Sequence, residues 1–196
     1  MTRIIAGSAR GRRLTVPRGT RTRPTSDRVR EALFSAVESW CGSLAGLRFL
    51  DLFAGSGAVG LEAWSRGAGV VTLVEQDRRT AALISANAAA IGCTRAQVVT
   101  APVASVVARP PQAPYDVVFL DPPYPLPDPA VVATLEALRD HQWLVPGALV
   151  VVERSARGPA LPWPEGFRPD RSRSYGETML WYGHASPRID APSPEE

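Results

Sequence analysis

The sequence predicts an α/β domain built on a parallel sheet and preceded by a short β-hairpin. From Leu47 onward, short apolar runs alternate with segments whose apolar residues recur at helical spacing, which is typical of βαβ units. Before them, residues 3–16 indicate two short extended pieces around Gly7 to Gly11, with Leu14 and Val16 alternating against Arg13 and Thr15. With 196 residues, one domain can bury about 70% of its unfolded surface.

The positive charge is concentrated at the N-terminus. Residues 1–30 contain nine arginines and one acidic residue, a net charge of +8, whereas residues 31–196 contain 13 arginines and 18 acidic residues, a net charge of −5. Such asymmetry is typical of a basic module that meets phosphate and is attached to a neutral or acidic body. A solvated arm without a partner is the alternative interpretation of these arginines.

The composition argues against several classes of protein. Cys41 and Cys93 lie far apart in the sequence, which indicates a reducing compartment rather than a disulfide framework. His141 and His184 are also isolated, so a zinc site or a Ser-His-Asp triad lacks its parts. No apolar run reaches the ~18 residues of a membrane span, and no signal-peptide core follows the arginine-rich start. We therefore expect a soluble, cytoplasmic protein without a metal ion.

The body is predicted to begin with a helix. Thr25 to Asp27 are residue types that cap helices, and Gly42 marks the expected end. Between them, apolar residues recur at helical spacing, namely Val29, Leu33, Val37 and Trp40.

Five strands are predicted after this helix, from the apolar runs at residues 47–52, 70–75, 97–100, 115–120 and 147–153. The runs are nearly continuous in apolar residues, as expected for strands covered on both faces. Helices between them are predicted by the apolar residues Leu83, Ile84, Ala88 and Ile91, and then Val131, Val132, Leu135 and Leu138. Residues 167–183 predict two further strands around Gly176 that form an antiparallel edge.

A glycine-rich loop follows the first strand of the predicted sheet. Asp51 ends that strand, and the segment Gly55 to Gly60 opens the next helix, whose free N–H groups can meet a carboxylate or phosphate. Glu75, which lies 18 residues after Gly57 at the end of the second strand, can accept hydrogen bonds from both hydroxyls of a ribose. These features predict a nucleoside-bearing cofactor. They fit a dinucleotide-dependent oxidoreductase, but Asp51 and Phe53 resemble the first motif of class I methyltransferases.

A second motif, Asp121-Pro-Pro-Tyr124, follows the strand at 115–120 and is expected at the same edge of the sheet. The amino group of a nucleobase is a weak nucleophile because its lone pair is conjugated with the ring. We expect Asp121 and a backbone carbonyl near Pro122 to accept its N–H groups and direct the lone pair at a methyl group, while Tyr124 stacks on the base. Alignment and exclusion of water supply most of the rate in this scheme, so Asp121 needs no unusual pKa.

The sequence resembles the RsmD family of 16S ribosomal RNA guanine-N2-methyltransferases over about residues 3–183. The resemblance is carried by Arg3-Ile-Ile-Ala-Gly7, Arg10-Gly-Arg-Arg-Leu14, residues 23–34, Asp51 to Gly60, Glu75, and Asp121 to Tyr124. It implies a Rossmann-like, seven-stranded class I methyltransferase sheet with an N-terminal β-hairpin extension. It also implies S-adenosyl-L-methionine as the cofactor, and as the substrate a guanine of 16S ribosomal RNA in the small ribosomal subunit or its assembly intermediate.

The resemblance assigns roles to individual residues. It implies cofactor binding by Asp51, Phe53, Gly55, Gly57 and Glu75, and catalysis by Asp121, Pro122 and Tyr124. The arginines expected to contact RNA are Arg10, Arg12, Arg13 and Arg23. One departure concerns Thr100-Ala-Pro102, where many relatives place an Asp or Asn that meets the adenine of the cofactor. Backbone or apolar contacts are expected there instead.

The expected organisation has three parts. Residues 1–24 form a basic hairpin and loop for RNA contact, residues 25–184 form the methyltransferase domain, and residues 185–196 form a disordered tail rich in proline and acidic residues. A monomer is expected.

Three alternatives stay open at this point. Methylation of DNA adenine is one, because Asp121 to Tyr124 also resembles the motif of amino-methylating DNA enzymes, although the chain has no room for a separate target-recognition domain. An oxidoreductase would explain the glycine loop and Glu75 but gives no role to Asp121 to Tyr124. A non-enzymatic RNA-binding assembly factor would be favoured by a degenerate cofactor pocket.

Overall fold

The computed structural model describes residues 2–17, 26–123 and 125–187. Its first part, residues 2–17, is named here the N-terminal extension and contains the antiparallel strands β1 (Thr2–Arg3) and β2 (Arg13–Leu14). The predicted hairpin is therefore confirmed, with shorter strands than the sequence pattern suggested. The described part of the extension is not a solvated arm, because Ile4, Ala9 and Leu14 are buried in the main core.

The body contains a seven-stranded sheet with the order β5-β4-β3-β6-β7-β9-β8. The strands are β3 (Arg48–Leu52), β4 (Val70–Glu75), β5 (Ala96–Thr100), β6 (Tyr115–Leu120), β7 (Leu144–Ser155), β8 (Phe167–Tyr175) and β9 (Thr178–Ala185). Strands β3 to β7 are parallel, whereas β9 pairs antiparallel with both β7 and β8. The predicted parallel sheet with an antiparallel edge is confirmed.

Helices cover both faces of the sheet. They are α1 (Asp27–Cys41), α2 (Ala58–Ser65), α3 (Arg78–Ile91), α4 (Val103–Val107) and α5 (Asp128–Asp140). Apolar residues of α1, α2 and α3 pack with the N-terminal extension against one face, and those of α4 and α5 pack against the other. In the described ranges no helix is long and apolar enough to cross a membrane, and no three His, Cys, Asp or Glu side chains are grouped as metal ligands.

Helix α1 begins where the sequence predicted. Ser26 is its N-cap, and the Ser26 hydroxyl accepts a hydrogen bond from Val29 N at 3.3 Å. Val29, Leu33 and Val37 are buried as predicted, but the prediction that Trp40 belongs to the same buried stripe is wrong. Trp40 is 39% exposed because it lies in the last turn of the helix, where its ring contacts that of His184 with the centroids 6.0 Å apart.

A buried carboxylate joins the N-terminal extension to the body. Glu62 of α2 has a fully buried side chain and accepts hydrogen bonds from Ile5 N at 2.8 Å and Ala6 N at 2.9 Å. Arg66 Nε donates to the same carboxylate at 2.9 Å, and Arg30 Nε lies 3.6 Å from it. One carboxylate therefore positions two backbone amides of the extension and two arginines at once.

Arg30 completes this ionic cluster from α1. Its side chain is fully buried, and Nη2 donates to Arg3 O at 2.5 Å and to Asp27 Oδ1 at 3.0 Å. Burial lowers the pKa of Arg30, while the charges of Glu62 and Asp27 oppose that shift. A buried guanidinium of this kind is tolerated only while its carboxylate partners are present.

The turn of the extension also requires a glycine. Gly7 has a φ of 80°, and a Cβ added to it would lie 1.8 Å from Ser65 O. The close approach lets Ser8 N donate to Ser65 O at 2.7 Å and Ala9 N donate to Ser65 Oγ at 2.9 Å. The Arg3 to Gly7 motif is thus explained by contact with the end of α2.

Replacing Glu62 tests the importance of the buried cluster. Glu62→Ala should lower the free energy of unfolding by about 3–5 kcal/mol, because it leaves the buried Arg30 without its main charge partner. Urea denaturation would measure the change. Glu31→Ala is the matched control, since Glu31 pairs with Arg66 at 3.0 Å but is 50% exposed, and we expect it to cost at most about 1 kcal/mol. Equal effects of the two substitutions would contradict this interpretation.

Candidate functional site

A cavity of about 1220 Å³ opens at the carboxyl ends of the central strands. Parallel α/β sheets bind ligands at this edge. The wall is formed by residues 53–56 of the glycine loop, by Glu75, by residues 121–123, and by residues 15–17 of the N-terminal extension. The structure therefore brings the two sequence motifs to one cavity.

The loop requires glycine at positions 55 and 57 for different structural reasons. Gly55 lines the cavity with a φ of 54°, and a Cβ added there would meet nothing within 4 Å. Gly57 has a φ of 78° and is the N-cap of α2, and its added Cβ would lie 2.9 Å from Ile84 Cγ2. Gly55 thus keeps the wall open toward the cavity, while Gly57 allows the loop to pack against α3.

Phe53 carries backbone strain at the same loop. Its φ is 64°, in the left-handed region that costs a non-glycine residue roughly 1–2 kcal/mol. Two hydrogen bonds of the next residue hold it there: Ala54 N donates to Val74 O at 2.9 Å, and Ala54 O accepts from Gly57 N at 2.8 Å. Strain of this kind is concentrated at ligand-binding loops, and no feature of the sequence predicts it.

Glu75 connects the end of β4 to the glycine loop. Its Oε2 accepts a hydrogen bond from Gly55 N at 3.0 Å, and its Oε1 accepts one from Asp77 N at 2.9 Å. The side chain is half-buried and lines the cavity. Because each carboxylate oxygen has two acceptor sites, Glu75 can still accept hydrogen bonds from a ligand.

Asp51 lies beneath the loop rather than at its rim. The residue is 2% exposed, and its Oδ2 accepts a hydrogen bond from Gly60 N at 2.8 Å. Burial raises the pKa of Asp51 to about 7, with the Gly60 N–H lowering it and the charge of Glu75 raising it. Burial therefore favours the neutral form of this carboxyl group.

Asp121 stands at the end of β6. Its backbone N donates to Leu52 O at 3.3 Å, which extends the pairing between β3 and β6 by one residue. Burial raises the pKa of the Asp121 carboxyl well above its usual range, the charges of Glu153 and Asp51 raise it further, and Arg154 opposes them. This raised pKa could not be predicted from the sequence, because Glu153 is distant from Asp121 along the chain.

Arg154 holds the loop after Asp121 in place, and the sequence analysis did not identify it. Arg154 Nη2 donates to Leu126 O at 3.0 Å and to Asp128 Oδ1 at 2.7 Å, so it joins the end of the loop to the first turn of α5. Pro122 is buried and lines the cavity. Tyr124 lies outside the described residues, and its stacking role stays a prediction.

The far wall of the cavity was also missed by the sequence analysis. It is formed by residues 153–155 at the end of β7 and residues 175–178 at the turn between β8 and β9. Thr178 Oγ1 donates to Glu153 Oε1 at 3.4 Å across this wall. Only the strand order brings these residues beside Asp121, and no local motif could have indicated them.

Asn87 connects the N-terminal extension to the glycine loop. This buried residue of α3 accepts a hydrogen bond from Thr15 N at 2.9 Å and donates to Thr15 O at 2.8 Å and to Ser56 O at 3.1 Å. The extension and the loop therefore share one side chain.

The predicted RNA-binding arginines within the described residues do not line the cavity. Arg10, Arg12 and Arg13 are exposed, and Arg12 Nη2 donates to a backbone carbonyl at the C-terminal end of α3. Arg13 precedes the cavity-lining Thr15 by two residues, which is roughly 7 Å of extended chain. Arg23 lies outside the described residues.

The chain is similar to ribosomal RNA methyltransferases along nearly its whole length. Residues 2–184 match the model of a protein family described as conserved hypothetical protein 95. The chain is 38% identical to ribosomal RNA small subunit methyltransferase D of Escherichia coli K12 over 192 residues, which cover 96% of this chain and 93% of that protein.

Solved structures agree with these relatives. A putative methyltransferase from Escherichia coli, yhhF, superposes with a TM-score of 0.83 at 34% identity and covers 95% of this chain and 99% of that one. An RNA methyltransferase from Salinibacter ruber, solved in complex with S-adenosyl-L-homocysteine, shares the fold alone, with a TM-score of 0.63 at 17% identity over 89% of this chain and all of that one (100%). The chain therefore belongs to the family described as conserved hypothetical protein 95, the RsmD family, whose members include ribosomal RNA small subunit methyltransferase D.

Proposed function

We propose that this chain is an S-adenosylmethionine-dependent methyltransferase that modifies the exocyclic N2 amino group of a guanine in 16S ribosomal RNA. The observation that carries the proposal is the meeting of the glycine loop and the Asp121 loop at one cavity. The family and its members named for small-subunit ribosomal RNA support an RNA substrate. The substrate is the small subunit or its assembly intermediate, and the enzyme acts as a cytoplasmic monomer.

S-adenosylmethionine fits the glycine-loop side of the cavity. The open space beside Gly55 leaves room for it, the carboxylate of Glu75 can accept the ribose hydroxyls, and the start of α2 offers N–H groups to a carboxylate. Val103 is buried and lines the cavity, and it supplies an apolar contact for adenine in place of the Asp or Asn that is missing at Thr100 to Pro102. When bound, the cofactor supplies an electrophilic methyl group on a sulfonium.

The residues of β6 then act on the target base. Asp121 and the carbonyl of Pro122 accept hydrogen bonds from the amino group, which directs its lone pair toward the methyl group. Methylation makes the amino group acidic, and the Asp121 carboxylate, whose pKa is raised by burial, is placed to hold the released proton before it passes to solvent. Asp51, Phe53 and Gly57 act indirectly in this scheme, by shaping the loop that holds the cofactor.

Methyl transfer from labelled S-adenosylmethionine tests the function. Small subunits from a strain that lacks this protein should become labelled, duplex DNA should not, and mass spectrometry should locate N2-methylguanosine in the 16S ribosomal RNA. Asp121→Ala should lower kcat by roughly 10²–10⁴-fold while cofactor affinity stays within about twofold. Asp140→Ala, at a side chain that is 55% exposed on α5, should leave kcat unchanged. Label that appears only in DNA would contradict the proposal.

Asp51→Asn tests the buried carboxyl through stability. The raised pKa means that the folded chain retains a proton that the unfolded chain releases between about pH 4 and pH 7, so this group lowers the stability of the wild type as pH rises through that window. Asn keeps an oxygen for the Gly60 N–H but carries no charge. Urea denaturation should show the variant more stable at pH 8 by about 1–3 kcal/mol, with the difference shrinking toward pH 4. A difference that does not change with pH would contradict the assignment.

The exposed arginines of the N-terminal extension can be tested by salt dependence. Arg10→Ala combined with Arg13→Ala should weaken RNA binding and reduce the slope of log K against log salt by about 1.4, since each phosphate contact on single-stranded RNA contributes about 0.7. Cofactor affinity should not change. Arg12 is left intact because it donates to α3. The matched control replaces Arg109 and Arg139, on the side of the sheet covered by α4 and α5. Equal slopes for the two double variants would count against an RNA-binding extension.

A further inference from the structure

Two carboxylates stand side by side on neighbouring strands of the cavity. The parallel register of β6 and β7 pairs Leu120 with Val152, so the next residues, Asp121 and Glu153, are adjacent at the carboxyl ends of these strands. Both line the cavity. At this separation the charge of Glu153 contributes to the raised pKa of Asp121.

The two side chains also point to the same face of the sheet. Side chains alternate between faces along a strand, so residues two apart share a face. Phe119 and Val151 are paired in register, and both belong to the core beneath α1, α2 and α3. Asp121 follows Phe119 by two residues, and Glu153 follows Val151 by two residues. Both side chains therefore lie on that face.

The strand order separates this pair from the cofactor side of the proposed site. The glycine loop and Glu75 follow β3 and end β4, whereas Asp121 and Glu153 lie at the ends of β6 and β7. The cavity continues past Glu153 to Tyr175. The half of the cavity beyond Asp121 is therefore the half available to a base.

We propose that Glu153 selects guanine by accepting a hydrogen bond from guanine N1–H while Asp121 accepts one from the N2 amino group. This inference rests on the proposed function and specifies how its base is chosen. Guanine presents N1–H and its amino group side by side, so two adjacent carboxylates match two adjacent donors. Adenine and cytosine place a ring nitrogen acceptor next to their amino group, and a carboxylate there would face a lone pair instead of a donor.

Thr178 orients the Glu153 side chain for this contact. Its hydroxyl donates to Glu153 Oε1 at 3.4 Å, from the first residue of β9, whose pairing with β7 places it opposite Ser155. A carboxylate has about four acceptor sites on its two oxygens. The bond to Thr178 therefore does not by itself prevent Glu153 from accepting a base N–H as well.

The test compares two bases that carry the same reacting amino group. 2,6-Diaminopurine keeps the amino group at C2 but has an acceptor at N1. Small-subunit ribosomal RNA would be assembled by ligation with guanosine or 2,6-diaminopurine riboside at the nucleotide that the wild type methylates, and kcat/KM would be measured with labelled S-adenosylmethionine. We expect the wild type to prefer guanosine by roughly 10- to 100-fold. Glu153→Gln should reduce this preference at least about tenfold, because the amide can donate to the N1 acceptor.

Two further variants make the result decisive. Glu165→Gln makes the same chemical change at an exposed residue that does not line the cavity and should keep the wild-type preference. Glu153→Asp retains a carboxylate and should keep the preference for guanosine at a lower rate, so it tests the inference even if Glu153→Gln folds poorly. An unchanged preference in Glu153→Gln, or a loss of preference in Glu153→Asp equal to that in Glu153→Gln, overturns the role of Glu153. A wild type that methylates neither RNA overturns the proposed function itself.

Discussion

The buried carboxylate of Glu62 is the constraint on which the arrangement of the site depends. It binds the backbone of Ile5 and Ala6 and lies between two arginines, one of them fully buried. A buried ionic cluster adds little net stability, because desolvation offsets most of the attraction, but breaking it is costly. Its effect is therefore geometric. Since Glu62 belongs to α2, the helix that starts at the glycine loop also fixes the position of the N-terminal extension.

That attachment places the extension against the glycine-loop side of the cavity. Residues 15–17 form part of the wall, and Asn87 bonds Thr15 and Ser56 at the same time. Movement of the extension would therefore pull on the loop that contains Gly55. In the proposed function, the segment that meets RNA phosphate and the loop that meets the cofactor are parts of one hydrogen-bonded unit, and the arginines need not enter the cavity to affect it.

The sequence predicted what depends on local pattern and missed what depends on strand order. Continuous apolar runs located β3 to β7, and the two motifs located the ends of β3 and β6, because both signals lie within a few residues. Glu153, Arg154 and Tyr175 reach the cavity only through the pairing of β6, β7, β9 and β8, which no local pattern encodes. The exposure of Trp40 was missed because helical spacing does not show where a helix passes beyond the core. Tyr124 and Arg23 stay predictions.

The strand order places four carboxylates in a row at one edge of the sheet. Reading across β4, β3, β6 and β7, the ends of the strands carry Glu75, Asp51, Asp121 and Glu153 in turn. Burial holds the pKa of Asp51 and Asp121 high, and a cationic ligand such as a sulfonium would lower both and favour their ionised forms. A row of carboxylates would repel RNA phosphate, however. The arginines of the extension lie outside the row, so in the proposed function the backbone of a substrate is attracted there while only the uncharged base enters the acidic half of the cavity.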